Sequence, residues 1–242
     1  MRHLDAIAHA NRLTRRAALE KLLFAGGLVA LDLALPVWPV APLVLALALG
    51  GMALAGIALR DMLAVLAVPV GFLGAGALGL ALTLSGDFPY LGLAPDHGQA
   101  ALLVSVRALA AIAALSFLAL TTPIHDLADL LERARVPEVV IELARLVYHL
   151  LFLLVDTAFA MQAAQAARQG WRDSRRALRS LGLLVAALLP RALDRARRLE
   201  IGLAARGFDG RLRVLCEPRP ASGRVLAGIL LVHLGVLIAG LA

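Results

Sequence analysis

The stretch MLAVLAVPVGFLGAGALGLALTL, residues 62–84, contains no Asp, Glu, Lys or Arg. A helix needs about 20 mostly apolar residues to cross the hydrocarbon core of a bilayer, and this stretch is long enough. It therefore predicts a membrane-spanning helix and indicates that the chain is an integral membrane protein.

The overall composition supports the same class. Hydrophobic residues make up 61% of the chain and charged residues 17%, with a mean hydropathy of +0.84, whereas soluble domains carry about 25% charged residues. The first 21 residues are polar and have no apolar core, so we expect no cleavable signal sequence. Cys216 is the only cysteine, so no disulfide can form within the chain.

Other apolar stretches bring the expected number of transmembrane helices to about five. These further candidate spans are 22–37, 42–59, 100–120 and 225–242. We expect Arg60 and Asp61 to form a tight turn between the second and third spans. The expected fold class is an all-α polytopic membrane protein with a cytoplasmic helical region, divided into 1–120, 121–224 and 225–242.

The distribution of basic residues predicts the orientation. Residues 125–224 hold 17 of the 24 Lys and Arg residues, and five more lie in the N-terminal arm. The predicted loops 36–41 and 85–99 hold none. Because cytoplasmic loops are enriched in basic residues, we expect a cytoplasmic N-terminus and a periplasmic or extracellular C-terminus. Arg107 falls inside the fourth span, where a charge facing lipid is costly, and we expect it to face another helix or to snorkel.

The apolar segment 139–161 allows two interpretations. A sixth span would move the basic residues of 168–213 to the outside, against the charge rule. The segment also carries Glu142, Arg145, His149 and Asp156. We therefore favour a long helix buried in protein near the cytoplasmic surface.

Two Ala-Arg motifs end predicted helices in the basic region. Pro190 is expected to separate a short helix over 178–189 from the next, whose apolar stripe is Ala192, Ala196, Leu199, Gly202 and Leu203.

Arg206 lies seven residues after Leu199, on the same face as that stripe, and Gly207 suits a left-handed helix end. Arg168 follows Met161 by the same seven residues. The helix dipole could simply stabilise either arginine at the negative end of its helix. Alternatively, each arginine could protrude to bind a partner carboxylate.

With these motifs the chain resembles the transmembrane T subunit of energy-coupling factor (ECF) transporters, an ABC importer class, and within it the cobalt-type CbiQ family. The T-subunit signature matches Ala167-Arg168-Gln169 and Ala205-Arg206-Gly207, although Gln169 stands where a small residue is common. The cobalt type is indicated by softer patterns: LDAIAHANRL (4–13), Glu20-Lys21, VPVGF (68–72), TTPIHDLADLLERARVP (121–137) and LVYHLLFLLVDTA (146–158).

The resemblance implies a noncatalytic subunit of a bacterial inner-membrane cobalt importer that serves cobalamin biosynthesis. Two CbiO-like ATPase subunits would bind ATP and Mg²⁺ and receive the two motifs. A CbiM-like subunit would capture Co²⁺, aided by a small CbiN-like subunit. This chain itself would bind no cofactor and no nucleic acid, and membrane lipid would surround it.

A glycine-rich face of the third predicted span has two interpretations. Gly71, Gly74 and Gly79 favour ordinary packing between helices of this chain. Alternatively, the face including Pro69, Gly71 and Phe72 forms a smooth seat for the capture subunit.

The residues themselves do not indicate catalysis or a metal site. No Walker A pattern is present, and the six histidines show no metal-ligand spacing. Asp32 alone in the first span does not make a Co²⁺ site. A membrane enzyme acting on lipid or isoprenoid groups would have to use Asp126, Asp129 and Glu132, whose spacing is more typical of a solvated helix face. A T subunit for nickel or a vitamin is a second alternative.

Overall fold

The computed structural model describes residues 2–84, 91–93, 95–208 and 220–241. Asp87 of the predicted acidic loop and Cys216 lie outside these residues. In chain order the described elements are α1 (Arg2–Ala10), α2 (Ala18–Ala34), α3 (Val37–Leu54), α4 (Leu59–Ala81), β1 (Leu82–Leu84), β2 (Leu91–Leu93), α5 (Pro95–Thr121), α6 (Ile124–Arg133), α7 (Glu138–Ala167), α8 (Ser174–Ala204) and α9 (Gly223–Leu241).

The all-α class is confirmed, and the protein is a multi-pass membrane protein. Four of the described helices are long and apolar enough to cross a membrane, over Val37–Leu54, Leu59–Gly79, Ala101–Thr121 and Gly223–Leu241. They correspond to four of the five expected spans.

The remaining expected span corresponds to α2, which differs from the other four. It has 17 residues and contains three charged residues, Glu20, Lys21 and Asp32, all of them buried. The helix packs against α3, α5 and α9. The apolar stretch 22–37 thus forms most of a helix that buries its ionic groups against protein and leaves apolar side chains such as Leu33 exposed.

Two predicted boundaries around α4 are wrong. Arg60 and Asp61 do not form a turn, because they already belong to the first turn of α4. The connection from α3 is made instead around Gly56, whose φ of 77° is left-handed, and an acid such as Asp61 is favoured at a helix N-terminus. At the other end, residues 82–84 form a strand that pairs antiparallel with β2.

Small residues let the helices approach closely in the core of the transmembrane region. Ala48 of α3 and Ala110, Ala113 and Ala114 of α5 are fully buried, and alanine leaves little side chain between two backbones. Larger groups fill the spaces around them, with Phe24 of α2 edge-on to Phe117 of α5 at a centroid distance of 5.1 Å.

The chain divides into two compact units. The first comprises Met1–Leu130 with Pro218–Ala242 and contains the four candidate spans; the second, Leu131–Glu217, contains α7 and α8 packed against each other. The second unit is therefore an insertion between two parts of the first.

Two expectations for the second unit are wrong. Helix α8 continues from Ser174 to Ala204 through Pro190. Proline removes one helical hydrogen bond, but its fixed φ is itself close to helical, and Pro69 is accommodated in α4 in the same way.

Helix α7 is not among the candidate spans, but this chain does not bury it as expected. Only Ile141 of α7 is buried, because the single long neighbour α8 can cover only one side of it.

Candidate functional site

The first Ala-Arg motif forms the end of α7, and we call Gln165–Gly170 the first tip. Gly170 N donates to Gln165 O at 2.8 Å, and Gln169 N donates to Ala166 O at 2.9 Å. Gln169 has a φ of 55°. This combination of hydrogen bonds and a left-handed residue is a Schellman motif, which satisfies carbonyls at a helix C-terminus.

The second Ala-Arg motif repeats this geometry at the end of α8, and we call Leu203–Phe208 the second tip. Phe208 N donates to Leu203 O and Gly207 N to Ala204 O, both at 3.1 Å. Gly207 has a φ of 70°. Gln169 and Gly207 therefore occupy equivalent backbone positions, so the glutamine in the first motif does not alter the fold of the tip.

Each tip exposes one guanidinium just before its left-handed residue. Arg168 and Arg206 are both exposed, and neither guanidinium makes a hydrogen bond or an ion pair with the residues that the structure describes. Both charges are compatible with the negative end of a helix dipole. Both guanidinium groups are also open to an external carboxylate, for which arginine offers a two-pronged donor.

The first tip is braced by a residue that the sequence did not single out. The Ser180 hydroxyl, buried near the start of α8, donates to Gly170 O at 3.0 Å. Gln165 Nε2 donates to Ser180 O at 3.1 Å. These two bonds fix the backbone beside Arg168. Serine is too common in helices for its type or spacing to have revealed this role.

The start of α8 supports the same region through Asp173. Its carboxylate accepts a hydrogen bond from Arg176 N at 2.8 Å, which makes Asp173 an N-cap. The turn between the helices thus has a capped helix end on each side. Aspartate before a polar helical start is a recognisable sequence signal.

The expected apolar stripe leading to Arg206 is only partly present. Ala192, Leu199 and Leu203 are half-buried, but Ala196 and Gly202 are exposed. Asp194 and Arg198, one helical turn apart on α8, form an ion pair.

The glycine face of α4 is open rather than packed against this chain. A side chain built at Gly71, Gly74 or Gly79 would meet none of the described atoms within 4 Å. Phe72 on the same helix is 78% exposed. The expectation of internal packing is therefore wrong among the described residues, and the surface around Pro69, Gly71 and Phe72 is available to lipid or to another protein.

Comparison with known proteins places these features in a family. Residues 10–215 match the family CbiQ, described as cobalt transport protein, and this range includes both tips. The chain belongs to the CbiQ family. It is 44% identical over 238 residues to the cobalt transport protein CbiQ of Rhodobacter capsulatus, covering 98% of this chain and 97% of that one.

More distant relatives carry related descriptions. A putative fused cobalt transport protein CbiMQ of Methanocorpusculum labreanum is 30% identical over 86% of this chain, which corresponds to 36% of that longer protein. The cobalt transport protein CbiQ of Salmonella typhimurium is 28% identical over 87% of this chain and 98% of its own length.

In the part of this CbiQ family member that the structure describes, the ionisable groups do not converge on a metal site. No three His, Cys, Asp or Glu side chains of the described residues are grouped so that they could hold a metal ion. Glu132 of the acidic α6 face pairs with Arg145 at 3.5 Å. Arg107 faces another helix, as expected, and donates to the Leu35 carbonyl at the end of α2.

Substitution of Gly170 tests the brace of the first tip. A Cβ at Gly170 would lie 2.5 Å from Ser180 Oγ and 3.0 Å from Gln165 O. Gly170→Ala is therefore expected to destabilise the protein by roughly 1–3 kcal/mol, the usual cost of overpacking. The measurement is thermal unfolding of the purified protein in detergent.

Gly182→Ala in α8 is the matched control, because nothing lies within 4 Å of its Cβ position. Alanine should stabilise that exposed helical position by about 0.5–1 kcal/mol. Equal stability of the two variants would show that Ser180 and Gln165 do not constrain the tip.

Proposed function

We propose that this protein is the transmembrane coupling subunit of an energy-coupling factor importer for Co²⁺ in a bacterial inner membrane. The observation that carries the proposal is the pair of tips with the same backbone geometry, each presenting an exposed arginine. Membership of the cobalt transport family supports the cargo class.

Each tip docks on one cytoplasmic ATPase subunit. The ATPases bind ATP and Mg²⁺, and an acidic side chain in a groove of each accepts the guanidinium of Arg168 or Arg206. A bidentate arginine–carboxylate pair fixes direction as well as distance. The braced backbone of the first tip suits this role, because a rigid end transmits the displacement of its partner.

The substrate is held by a separate membrane protein of the CbiM type, with a small CbiN-like helper. The CbiMQ description of the longer relative supports a CbiM partner. We assign the capture contact to Pro69, Gly71 and Phe72 of α4, because Phe72 is exposed and none of the described atoms covers Gly71. Co²⁺ is cargo on that partner, and the present chain performs no chemistry on it.

The orientation follows from the charge distribution. The N-terminus and the basic second unit lie in the cytoplasm, where the ATPases are, and the C-terminus of α9 lies on the opposite side. ATP-driven closure of the two ATPases moves the tips, and this movement reaches the capture subunit through the membrane helices.

Reconstitution of the purified components in proteoliposomes tests this function. Complete vesicles should accumulate radioactive Co²⁺ in the presence of ATP, and vesicles lacking this chain should not. Parallel assays with Ni²⁺ and with vitamins address the alternative cargoes. Retention of ATP-driven uptake without this chain, or Mg²⁺-dependent turnover of an isoprenoid substrate by the chain alone, would contradict the proposal.

A further inference from the structure

Two consecutive residues near the start of α2 bury opposite charges. Glu20 and Lys21 are each 3% exposed, and Lys21 is the only lysine in the chain. Buried charges are costly unless hydrogen bonds or opposite charges compensate them. Their partners therefore show what the two residues hold in place.

Lys21 holds the C-terminal end of α5. Its Nζ donates to Thr121 O at 2.7 Å, and Thr121 is the last residue of that helix. Asn11 Nδ2 adds hydrogen bonds to Leu120 O at 3.3 Å and Thr121 O at 3.4 Å. A cation is favoured at this negative end of the helix dipole.

Glu20 holds the N-terminal end of α9. Its Oε1 accepts a hydrogen bond from Ser222 N at 2.6 Å, and Ser222 O accepts from Val225 N and Leu226 N at 3.0 Å each. An anion is favoured at this positive helix end. The two neighbouring side chains thus bind opposite ends of two helices that are distant in sequence, the end of α5 at Thr121 and the start of α9 at Gly223.

These two helix ends flank the places where the second unit is inserted. The chain leaves the first unit after Leu130, shortly beyond the end of α5, and returns at Pro218, shortly before the start of α9. Thr121, which precedes the first junction, and Ser222, which follows the second, are therefore both bound to the same turn of α2.

We propose that Glu20 and Lys21 are positioning residues that tie both connections of the second unit to α2, so that displacement of the tips reaches the transmembrane helices instead of being absorbed by loose connections. This inference rests on the proposed function. Its signature is a loss of coupling between ATP hydrolysis and transport while the ATPases remain bound.

Two conservative substitutions at Glu20 distinguish the effect of side-chain length from the effect of side-chain charge. Glu20→Asp keeps the negative charge but shortens the side chain, so the carboxylate no longer reaches Ser222 N. Glu20→Gln loses the charge but keeps an acceptor oxygen at the same distance. Each variant is assembled with the ATPases and the capture subunit in proteoliposomes, and the number of Co²⁺ ions imported per ATP hydrolysed is measured.

We expect Glu20→Asp to lower this ratio about fivefold or more, within the ordinary range of coupling between sites. Lys21→Met, which removes the donor to Thr121 O, should act in the same direction. Glu20→Gln should stay within about twofold of the unmodified protein, because one neutral hydrogen bond replaces a charged one. Asp5→Ala is the control, since this acid pairs with His9 inside α1.

An unchanged ratio in Glu20→Asp and Lys21→Met would overturn the inference, as would a greater loss in Glu20→Gln than in Glu20→Asp. The two proposals fail differently. If ATPase binding and uptake persist after reversal of both tip arginines, the proposed function itself is contradicted. If that variant loses ATPase binding but Glu20→Asp keeps a normal ratio of Co²⁺ imported to ATP hydrolysed, only the proposed role of Glu20 and Lys21 is contradicted.

Discussion

Reversal of both tip charges, by Arg168→Glu together with Arg206→Glu, is expected to abolish ATPase binding and Co²⁺ uptake. Each glutamate would face the acidic residue proposed in an ATPase groove. Loss of one partner from a desolvated charge pair costs roughly 2–5 kcal/mol, and every 1.4 kcal/mol changes affinity tenfold. The two losses combined, roughly 4–10 kcal/mol, correspond to a weakening of about a thousandfold or more.

The measurement is copurification of the ATPase subunits with the affinity-tagged chain, followed by uptake in proteoliposomes. Each single variant should retain one ATPase subunit and lose uptake. One tip can still bind its ATPase subunit, but ATP-driven closure requires both ATPase subunits. Arg197→Glu is the matched control, since it reverses an exposed arginine of α8 away from the tip. Two bound ATPases in the double variant would contradict docking through the tips.

The variants should fold normally. Neither guanidinium makes a hydrogen bond or an ion pair in the described part of the chain, so reversal breaks no internal contact. The new negative charge does oppose the helix dipole, at a cost of about 0.3–1 kcal/mol per tip at an exposed site. Thermal unfolding in detergent distinguishes this small loss from a loss of binding.

The second large effect is expected from Phe72→Ala on α4. If Phe72 inserts into the capture subunit, its truncation should weaken that contact by about 2 kcal/mol or more, as for other aromatic residues that dominate an interface. That corresponds to roughly a thirtyfold loss of affinity. Copurification of the CbiM-like subunit should fall while both ATPases stay bound, the reverse of the result for the tips.

Leu63→Ala provides the control on the same helix. Leu63 is 60% exposed, comparable to the 78% of Phe72, but the nine residues between them, about two and a half turns of helix, place it on the opposite face. A face that merely contacts lipid would respond equally to both substitutions. If both variants retain the capture subunit equally, the proposed contact between α4 and that subunit is contradicted.

The two tips show how much of a helix end can be predicted from the local sequence. The left-handed position of Gly207 was predictable because glycine is the usual residue there, and this prediction is confirmed. The matching conformation of Gln169 and the brace from Ser180 were not, since a glutamine rarely adopts positive φ and the Ser180 bond depends on how α8 packs back on α7.

The membrane helices show the limit of hydropathy. Apolar length correctly identified four candidate spans, but it treated Pro190 and the pair Arg60 and Asp61 as breaks that the folded chain does not have. A helix can continue through one proline, or begin with a charged turn, when the residues on both sides are helical. Composition and charge alone do not predict whether those neighbouring residues are helical.

The sequence by itself determined the class of protein, most of its helices and the two arginine motifs, because apolar length, helix period and end signals are local properties. Only the tertiary structure decided that the charged residues of α2 are buried and that its Glu20 and Lys21 meet Ser222 and Thr121. The physical reason is that a buried charge is tolerated only with a partner, and these partners lie 202 and 100 residues away along the chain.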